Sequence, residues 1–371
     1  MKIAILGTRG IPANYGGFET FAEECAAGLV ARGHQVTVYG RSHYVDSSLR
    51  NHRGADLVVL PALRFKYLDT ISHTFLSVLH AIRRGFDIVL ICNAANSVYS
   101  WLPRIFGIRV VVNVDGIERL RRKWNWLGRG WYHLSEHFST WFPNAIVTDA
   151  QAIQRYYHDR YGKPSVFIPY GASTAKPSGR AKLEELGLTA GEYFLYVSRL
   201  EPENNAHLVV QAFEKVRTSK PLVVVGDAPY ARAYIAAVKS TRDSRILFPG
   251  AIYGTGYREL MGHACCYIHA TEVGGSHPAL LEAMGQGSVI IANGTPENLE
   301  VLGQAGISYR KNNPDDLARL MQEVADSPSK YEAFKHAALE RARTVYSWDS
   351  VVSQYERLFQ SLLAGGLDLG H

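Results

Sequence analysis

Short apolar runs rich in Val and Ile recur along the chain, and between them lie stretches whose apolar residues return every three or four positions. Residues 2–6, 35–39, 56–60, 87–92, 109–114, 145–148 and 166–168 form a first set of runs, with helical spacing between several of them, as at 20–32. Short continuous apolar runs suit strands buried on both faces, and strands alternating with helices predict parallel sheet covered by helices. The alternation breaks at 170–186, where Ala175-Lys176-Pro177-Ser178-Gly179-Arg180 reads as a linker. It restarts at 193–198, 222–225, 245–248, 267–269, 288–292 and 306–309. The pattern predicts an α/β chain of two wound sheets in series with a cleft between them. Near the end, Val351, Val352, Tyr355, Leu358, Phe359 and Leu362 repeat at helical spacing.

Ligands of open parallel sheets bind beyond the carboxyl ends of the strands, so the loops there hold the candidate chemistry. The first, from Gly7 to Glu19, has glycines at 7, 10, 16 and 17 and lacks G-x-G-x-x-G spacing. The second run ends Tyr39-Gly40-Arg41, with no acid for a ribose, which argues against a nicotinamide dehydrogenase. Gly16 and Gly17 precede a helix and offer backbone N–H groups at its positive end; the plainer alternative is a tight turn needing positive φ. After 193–198 comes Ser198-Arg199-Leu200-Glu201-Pro202-Glu203-Asn204-Asn205. An Arg in that position can pair with phosphate oxygens in a bidentate way. After 267–269 comes Thr271-Glu272-Val273-Gly274-Gly275-Ser276-His277-Pro278-Ala279-Leu280-Leu281-Glu282. Gly274 and Gly275 let backbone approach a ligand, and Pro278 suits a first helical turn. The helix start, from Gly275 through Ser276 to Leu280, would take a diphosphate, and Glu282 the ribose hydroxyls. His277 is a donor contact or an ordinary loop histidine. Asp149, Asp159, Asp315 and Asp316 read as solvated loop or cap acids. No D-x-D stands at a strand end and the 14 histidines show no ligand spacing, so neither a metal nor another cofactor is expected.

These residues resemble the large retaining glycosyltransferase family with the GT-B fold, family 4 of the sequence classification, over nearly the whole chain. The opening Gly-rich loop, the Ser198-Arg199-Leu200 turn, the glycine-proline-glutamate helix start and a closing helix near 346–363 carry the resemblance. The run Gly10-Ile11-Pro12-Ala13-Asn14-Tyr15-Gly16-Gly17-Phe18-Glu19-Thr20, with Asp115-Gly116-Ile117-Glu118, is similar to a narrower branch of bacterial polysaccharide rhamnosyltransferases. The resemblance implies two Rossmann-like, doubly wound parallel-sheet domains facing across a cleft. Residues 1–172 would bind the acceptor, joined by a crossover helix in about 346–371, and 187–345 the nucleotide-sugar donor. It assigns Arg199 to the donor diphosphate and Glu282 to the ribose. The family's lysine in the same turn falls on Asn204, so one cation is missing. The family's earlier glutamate falls on Gly274; the nearest acid, Glu272, takes the role by a different loop path, or the role is empty. Asp115 stands where family members often place a histidine facing donor or acceptor sugar. The implied activity is metal-independent, retaining transfer of a sugar, L-rhamnose from dTDP-rhamnose first, to a lipid-diphosphate-linked or polysaccharide acceptor in bacterial cell-surface glycan assembly. A hexosyltransferase using a UDP- or GDP-sugar and a catalytically silent GT-B partner are the alternatives.

Composition adds little until charge is located. The 371 residues, 47% hydrophobic and 20% charged, are ordinary globular composition and exclude a disordered or fibrous chain. Four cysteines, with Cys265 and Cys266 adjacent, make no disulfide framework and suit a reducing cytosolic compartment. No apolar run approaches the roughly 20 residues of a spanning helix, and the opening run meets a turn too early for a secretory signal. The net charge of +6 is uninformative as a total. Five of the six tryptophans, however, lie within 101–141, with Arg119, Arg121, Arg122, Lys123 and Arg129 among them and no acid between Glu118 and Glu136. Basic residues with interfacial tryptophans such as Trp124 and Trp126 suit an anionic membrane surface. The rival is a helix whose tryptophans pack in the core. Basic aromatic patches also bind nucleic acid, but beside a diphosphate site a lipid-linked acceptor at the inner membrane face fits better.

Overall fold

The structure is a computed structural model of the chain. It describes every residue except 14, 15, 66, 67, 122, 123, 229 and 367–371, and the side chain of Leu120. The chain forms two compact units, one of residues 1–120, 124–170 and 348–371, the other of 121–123 and 171–347.

The first unit holds β1 (Lys2–Leu6), β2 (Gln35–Arg41), β3 (Asn51–His52), β4 (Ala55–Leu60), β5 (Ile88–Cys92), β6 (Arg109–Val114), β7 (Ala145–Thr148) and β8 (Val166–Phe167). They make one sheet in the order β3-β4-β2-β1-β5-β6-β7-β8. All pairings are parallel except the short β3–β4 pair. The central strands are buried on both faces, which is why β5 reads Ile-Val-Leu-Ile-Cys without alternation. The strand β3 escapes pattern reading: it is a two-residue edge closed by Arg53 and Gly54 at positive φ.

The second unit holds β9 (Phe194–Val197), β10 (Leu222–Val225), β11 (Ile246–Gly250), β12 (Cys266–His269), β13 (Val289–Asn293) and β14 (Ile307–Tyr309). Their order is β11-β10-β9-β12-β13-β14, all parallel. Phe194, Tyr196, Val224, Ile268 and Ile291 meet Phe213, Leu317 and Met321 from the helices in a continuous core. Cys266 begins β12 fully buried.

Each sheet winds outward from its first strand and then resumes on that strand's other side. The order therefore reverses between β1 and β5, and between β9 and β12. At such a point adjacent connections leave toward opposite faces of the sheet and open a crevice for a ligand. The presumed linker is tied down within the second unit: Gln286 donates to the Ala175 carbonyl at 3.0 Å, and Lys176 donates to the Gln286 carbonyl.

The last helix, Trp348–Leu363, packs on the Gly17–Ala31 helix of the first unit. Its buried face is Val351, Val352, Tyr355, Leu358, Phe359 and Leu362. Gly28 permits the approach, since a Cβ there would lie 2.6 Å from Val352. Arg32 donates to Asp349 at 2.6 Å, Ser353 at 2.7 Å and Glu356 at 3.0 Å, fastening the edge of the contact.

Candidate active site

In the second unit, β9 and β12 pair in register, Tyr196 beside Ile268, so their following loops leave side by side at the reversal. Arg199 lies in the first loop, a third exposed, with Nη2 3.7 Å from Glu201 Oε2. Glu201 is only 1% exposed; the same oxygen is 3.6 Å from Arg121 Nη1, and its carboxylate accepts the Tyr230 hydroxyl. The two guanidiniums offset this buried charge across 3.6 and 3.7 Å, and the carboxylate in turn sets where the cations stand. Asn204 holds the turn rather than replacing the missing lysine: its amide donates to the Arg199 carbonyl at 2.7 Å, and its own carbonyl accepts the Tyr196 hydroxyl. The two loops are joined directly, because the half-buried Glu272 donates its N–H to the Glu203 carbonyl at 2.9 Å.

In the second loop Gly274 has φ +155°, and a Cβ there would strike the His277 imidazole. Gly275 and Ser276 are buried. The helix Pro278–Gly285 follows, with His277 as N-cap. Leu280 does not fit its expected donor contact: its side chain is fully buried, and its N–H, like that of Leu281, is spent on the His277 carbonyl. Glu282 is half-buried and accepts the hydroxyl of Tyr257 from the Gly254–His263 helix. Burial and the neighbouring Glu282 charge push the Tyr257 hydroxyl well up, so it stays a donor. The rings of His269 and His277 lie 4.8 Å apart. Burial pushes His269 down to about 3, and burial, then His269, Arg121 and Arg199, hold His277 well below its ordinary value. Both imidazoles are neutral at pH 7.

In the first unit, the loop after β1 is folded by two acids one turn apart on the following helix. Buried Glu19 accepts the Arg9 N–H at 2.9 Å, and Glu23 accepts the Ala13 N–H at 2.5 Å. Burial raises Glu19, opposed by the Arg9 N–H and the Arg9 and Arg41 charges. Gly16 is extended at φ −164°, so the tight-turn explanation fails for it; the positive φ values belong to Gly7 and Gly10. Gly17 opens the helix. Asp115 follows β6, half-buried, and its charge helps raise the Cys92 thiol and the Tyr170 hydroxyl, behind burial in both cases. Asp149 is fully buried and also raises Tyr170, which corrects its reading as a solvated acid. Asp159 and Asp315 are exposed, and Asp316 accepts the Arg310 N–H at 2.8 Å.

The basic-tryptophan stretch divides. Arg119 bonds internally, to Glu136 at 3.1 Å and the Tyr156 hydroxyl at 2.8 Å. Arg121 is buried in the second unit beside Glu201, which removes it from an exposed membrane face. Arg122 and Lys123 lie outside the described residues. Trp124 packs at a tilt against Tyr132 and donates to Glu118 at 3.2 Å, whereas Trp126 is 78% exposed and Trp141 60%. Trp126 and Trp141 are thus surface residues, while Trp124 and Trp131 are half-buried. Among the described residues, no helix is long and apolar enough to cross a membrane, and no group of three or more His, Cys, Asp or Glu is placed to hold a metal ion.

Sequence reasoning missed Glu201, Glu203, Tyr257, Glu19 and His269. Glu201 and Glu203 stood in the quoted turn, but acids beside an Arg look like a solvated pair. Tyr257 lies in another element and carried no signal.

Residues 1–173 match the family described as Domain of unknown function (DUF1972), and residues 191–327 match Glycosyl transferases group 1. No curated protein matches the chain. Among solved structures, sucrose-phosphate synthase from Thermosynechococcus elongatus superposes with TM-score 0.82 at 16% identity, over 98% of this chain and 100% of that one. HepE from Anabaena, solved with UDP-glucose, gives TM-score 0.77 at 17% identity, over 97% and 100%. WaaG, a glycosyltransferase involved in lipopolysaccharide biosynthesis, gives 0.73 at 16% identity, over 97% and 99%. Residues 191–327 thus match a group 1 glycosyl transferase domain within the second unit, the chain has the GT-B fold, and together these make it a glycosyltransferase.

Proposed function

We propose that this glycosyltransferase moves a sugar from a nucleotide diphosphate donor, with retention, to a lipid-diphosphate-linked or polysaccharide acceptor in bacterial cell-surface glycan assembly. L-Rhamnose from dTDP-rhamnose is the first donor to test, on the strength of the branch that the opening loop and Asp115-Gly116-Ile117-Glu118 resemble. The observation that carries the donor half is the convergence, at the β9–β12 reversal, of the Arg199 turn with the glycine loop that leads to Glu282.

Loss of the nucleotide diphosphate leaves an oxocarbenium-like sugar, so the main task is to stabilise negative charge growing on phosphate. Arg199, preset by Glu201, meets that charge, with loop N–H groups at Gly274–Ser276 beside it. Glu282, shared with Tyr257, takes the ribose hydroxyls. The acceptor attacks from the face the phosphate leaves, and the departing phosphate helps take its proton. This scheme uses no metal and no dedicated protein base. Asp115 positions a sugar from the first unit.

Nucleotide release from dTDP-, UDP- and GDP-sugars, with and without a lipid-linked acceptor, tests the proposal. Release that needs both dTDP-rhamnose and the lipid-linked acceptor is expected. Turnover of UDP-glucose instead would favour a hexosyltransferase, a reading supported by the complex of the structurally similar HepE with UDP-glucose. Arg199→Ala should lower turnover by about a hundredfold or more; near-normal turnover would remove Arg199 from the diphosphate role.

A further inference from the structure

A cavity of about 410 Å³ in the first unit, beside the Trp126–Trp141 helix, is lined by Arg119, Arg129, Gly130 and His133. No acid lines it. Its inner cation is preset. Arg119 donates Nε to Glu136 and Nη2 to Tyr156, while Glu136, itself buried, accepts the Tyr156 and Tyr161 hydroxyls, each at 2.8 Å. These bonds hold one edge of the guanidinium; among the described residues Nη1 has no partner. Arg129 is exposed and has no acidic partner among the described residues. Gly130 leaves the space open, for a Cβ there would meet nothing within 4 Å.

The flanks are apolar. Trp126, Leu127 and Leu134 stand three or four positions from Gly130 and so share its side of the helix. All three are exposed, as is Trp141 farther along. A cavity of this size suits a small ligand, and its chemistry suits an amphiphile: cations for an anionic head, and exposed apolar side chains for a chain that water rejects. An open cationic pocket with one fixed guanidinium favours a compact, multiply charged head over a single dispersed charge.

We propose that this cavity is the binding site for the diphosphate of a lipid-linked acceptor, gripped by Arg119, Arg129 and His133, with Trp126, Leu127 and Leu134 against the lipid chain. The proposal rests on the lipid-acceptor reading above and adds the site within the first unit.

Sedimentation with phosphatidylcholine vesicles tests it, one set doped with a long-chain polyprenyl diphosphate and the other with phosphatidylglycerol at equal surface charge. The protein is expected to bind the diphosphate vesicles about tenfold more tightly, the equivalent of one charge-assisted hydrogen bond. Arg129→Gln and Gly130→Leu should each abolish that preference with an unchanged melting temperature, the second by filling the cavity without removing a charge. Equal binding to the two vesicle types, or a preference that survives both substitutions, would overturn the site. So would tight binding of inorganic pyrophosphate in solution with no preference between vesicles, which would mark a free-anion site. Glycosyl transfer to a lipid-linked acceptor is measured alongside. Transfer without the vesicle preference sinks the cavity alone; failure to transfer to any lipid-linked acceptor sinks the reading beneath it.

Discussion

Glu19 and Glu201 are both buried acids beside arginines, yet they are compensated differently. Glu201 faces two guanidiniums and a tyrosine hydroxyl. Glu19 depends chiefly on the backbone N–H of Arg9, and burial raises its pKa in spite of that bond. Its charge is therefore a cost and its acceptor oxygen a benefit. Glu19→Gln is expected to leave stability unchanged or slightly improved. Glu19→Ala strands the Arg9 N–H and should cost about 1–3 kcal/mol. Urea unfolding of the two variants checks this, and equal losses in both would assign the stabilisation to the charge. Arg199 and Glu282, the residues proposed for the donor, stand out in the chain because each sits at a fixed place beside a glycine or a strand end. The functions of Glu19 and Glu201 could not, since an acid's burial is set by what packs over it.

The strands were legible because burial on both faces writes a near-continuous apolar run: nine of the eleven residues of β1 and β6 are buried, and of those nine only Asn113 is polar. The first helix starts at Gly17, three positions before its apolar spacing becomes visible at Thr20, because the extended Gly16 frees the next residue to turn. The closing helix was also legible by its spacing, but its seat was not. That seat depends on Gly28, which looks like a weak point within a helix until Val352 fills the space above it. Gly28→Leu is expected to overpack this contact and cost about 1–3 kcal/mol, read as a lower denaturant midpoint. An unchanged midpoint would show that the closing helix does not depend on close approach here.

At the scale of the whole molecule, buried neutral histidines tie stability to pH. His73 is pushed down to about 4 by burial and then by the Arg41 charge, and His269 to about 3 by burial; His277 is also well below its ordinary value. In the unfolded chain each takes a proton near pH 6.5. Between there and its folded value, the unfolded state binds the proton and the folded state does not. The stabilisation is thus complete above about pH 6.5 and is lost as pH falls, by about 1.4 kcal/mol per pH unit for each histidine. Unfolding free energies measured from about pH 7 to about pH 4.5 should fall with that sign. His73→Gln should remove one histidine's share of the slope. A slope unchanged by that substitution would mean that His73 is already protonated in the fold.

Local rules were enough for the α/β class, the parallel strands and the positions of the Arg199 turn and the Glu282 helix, because apolar period, glycine and proline act on neighbours in the chain. Longer-range packing settled the rest. It spent the Leu280 N–H inside its own helix, turned Asn204 into a brace for the Arg199 loop, and gave Glu282 a tyrosine partner 25 residues away. It also separated one basic stretch into a buried Arg121 beside Glu201 and an Arg119 that lines a cavity. A charge run records which residues are cations; which of them meet a carboxylate, and which stay available to a ligand, depends on segments that only folding brings together.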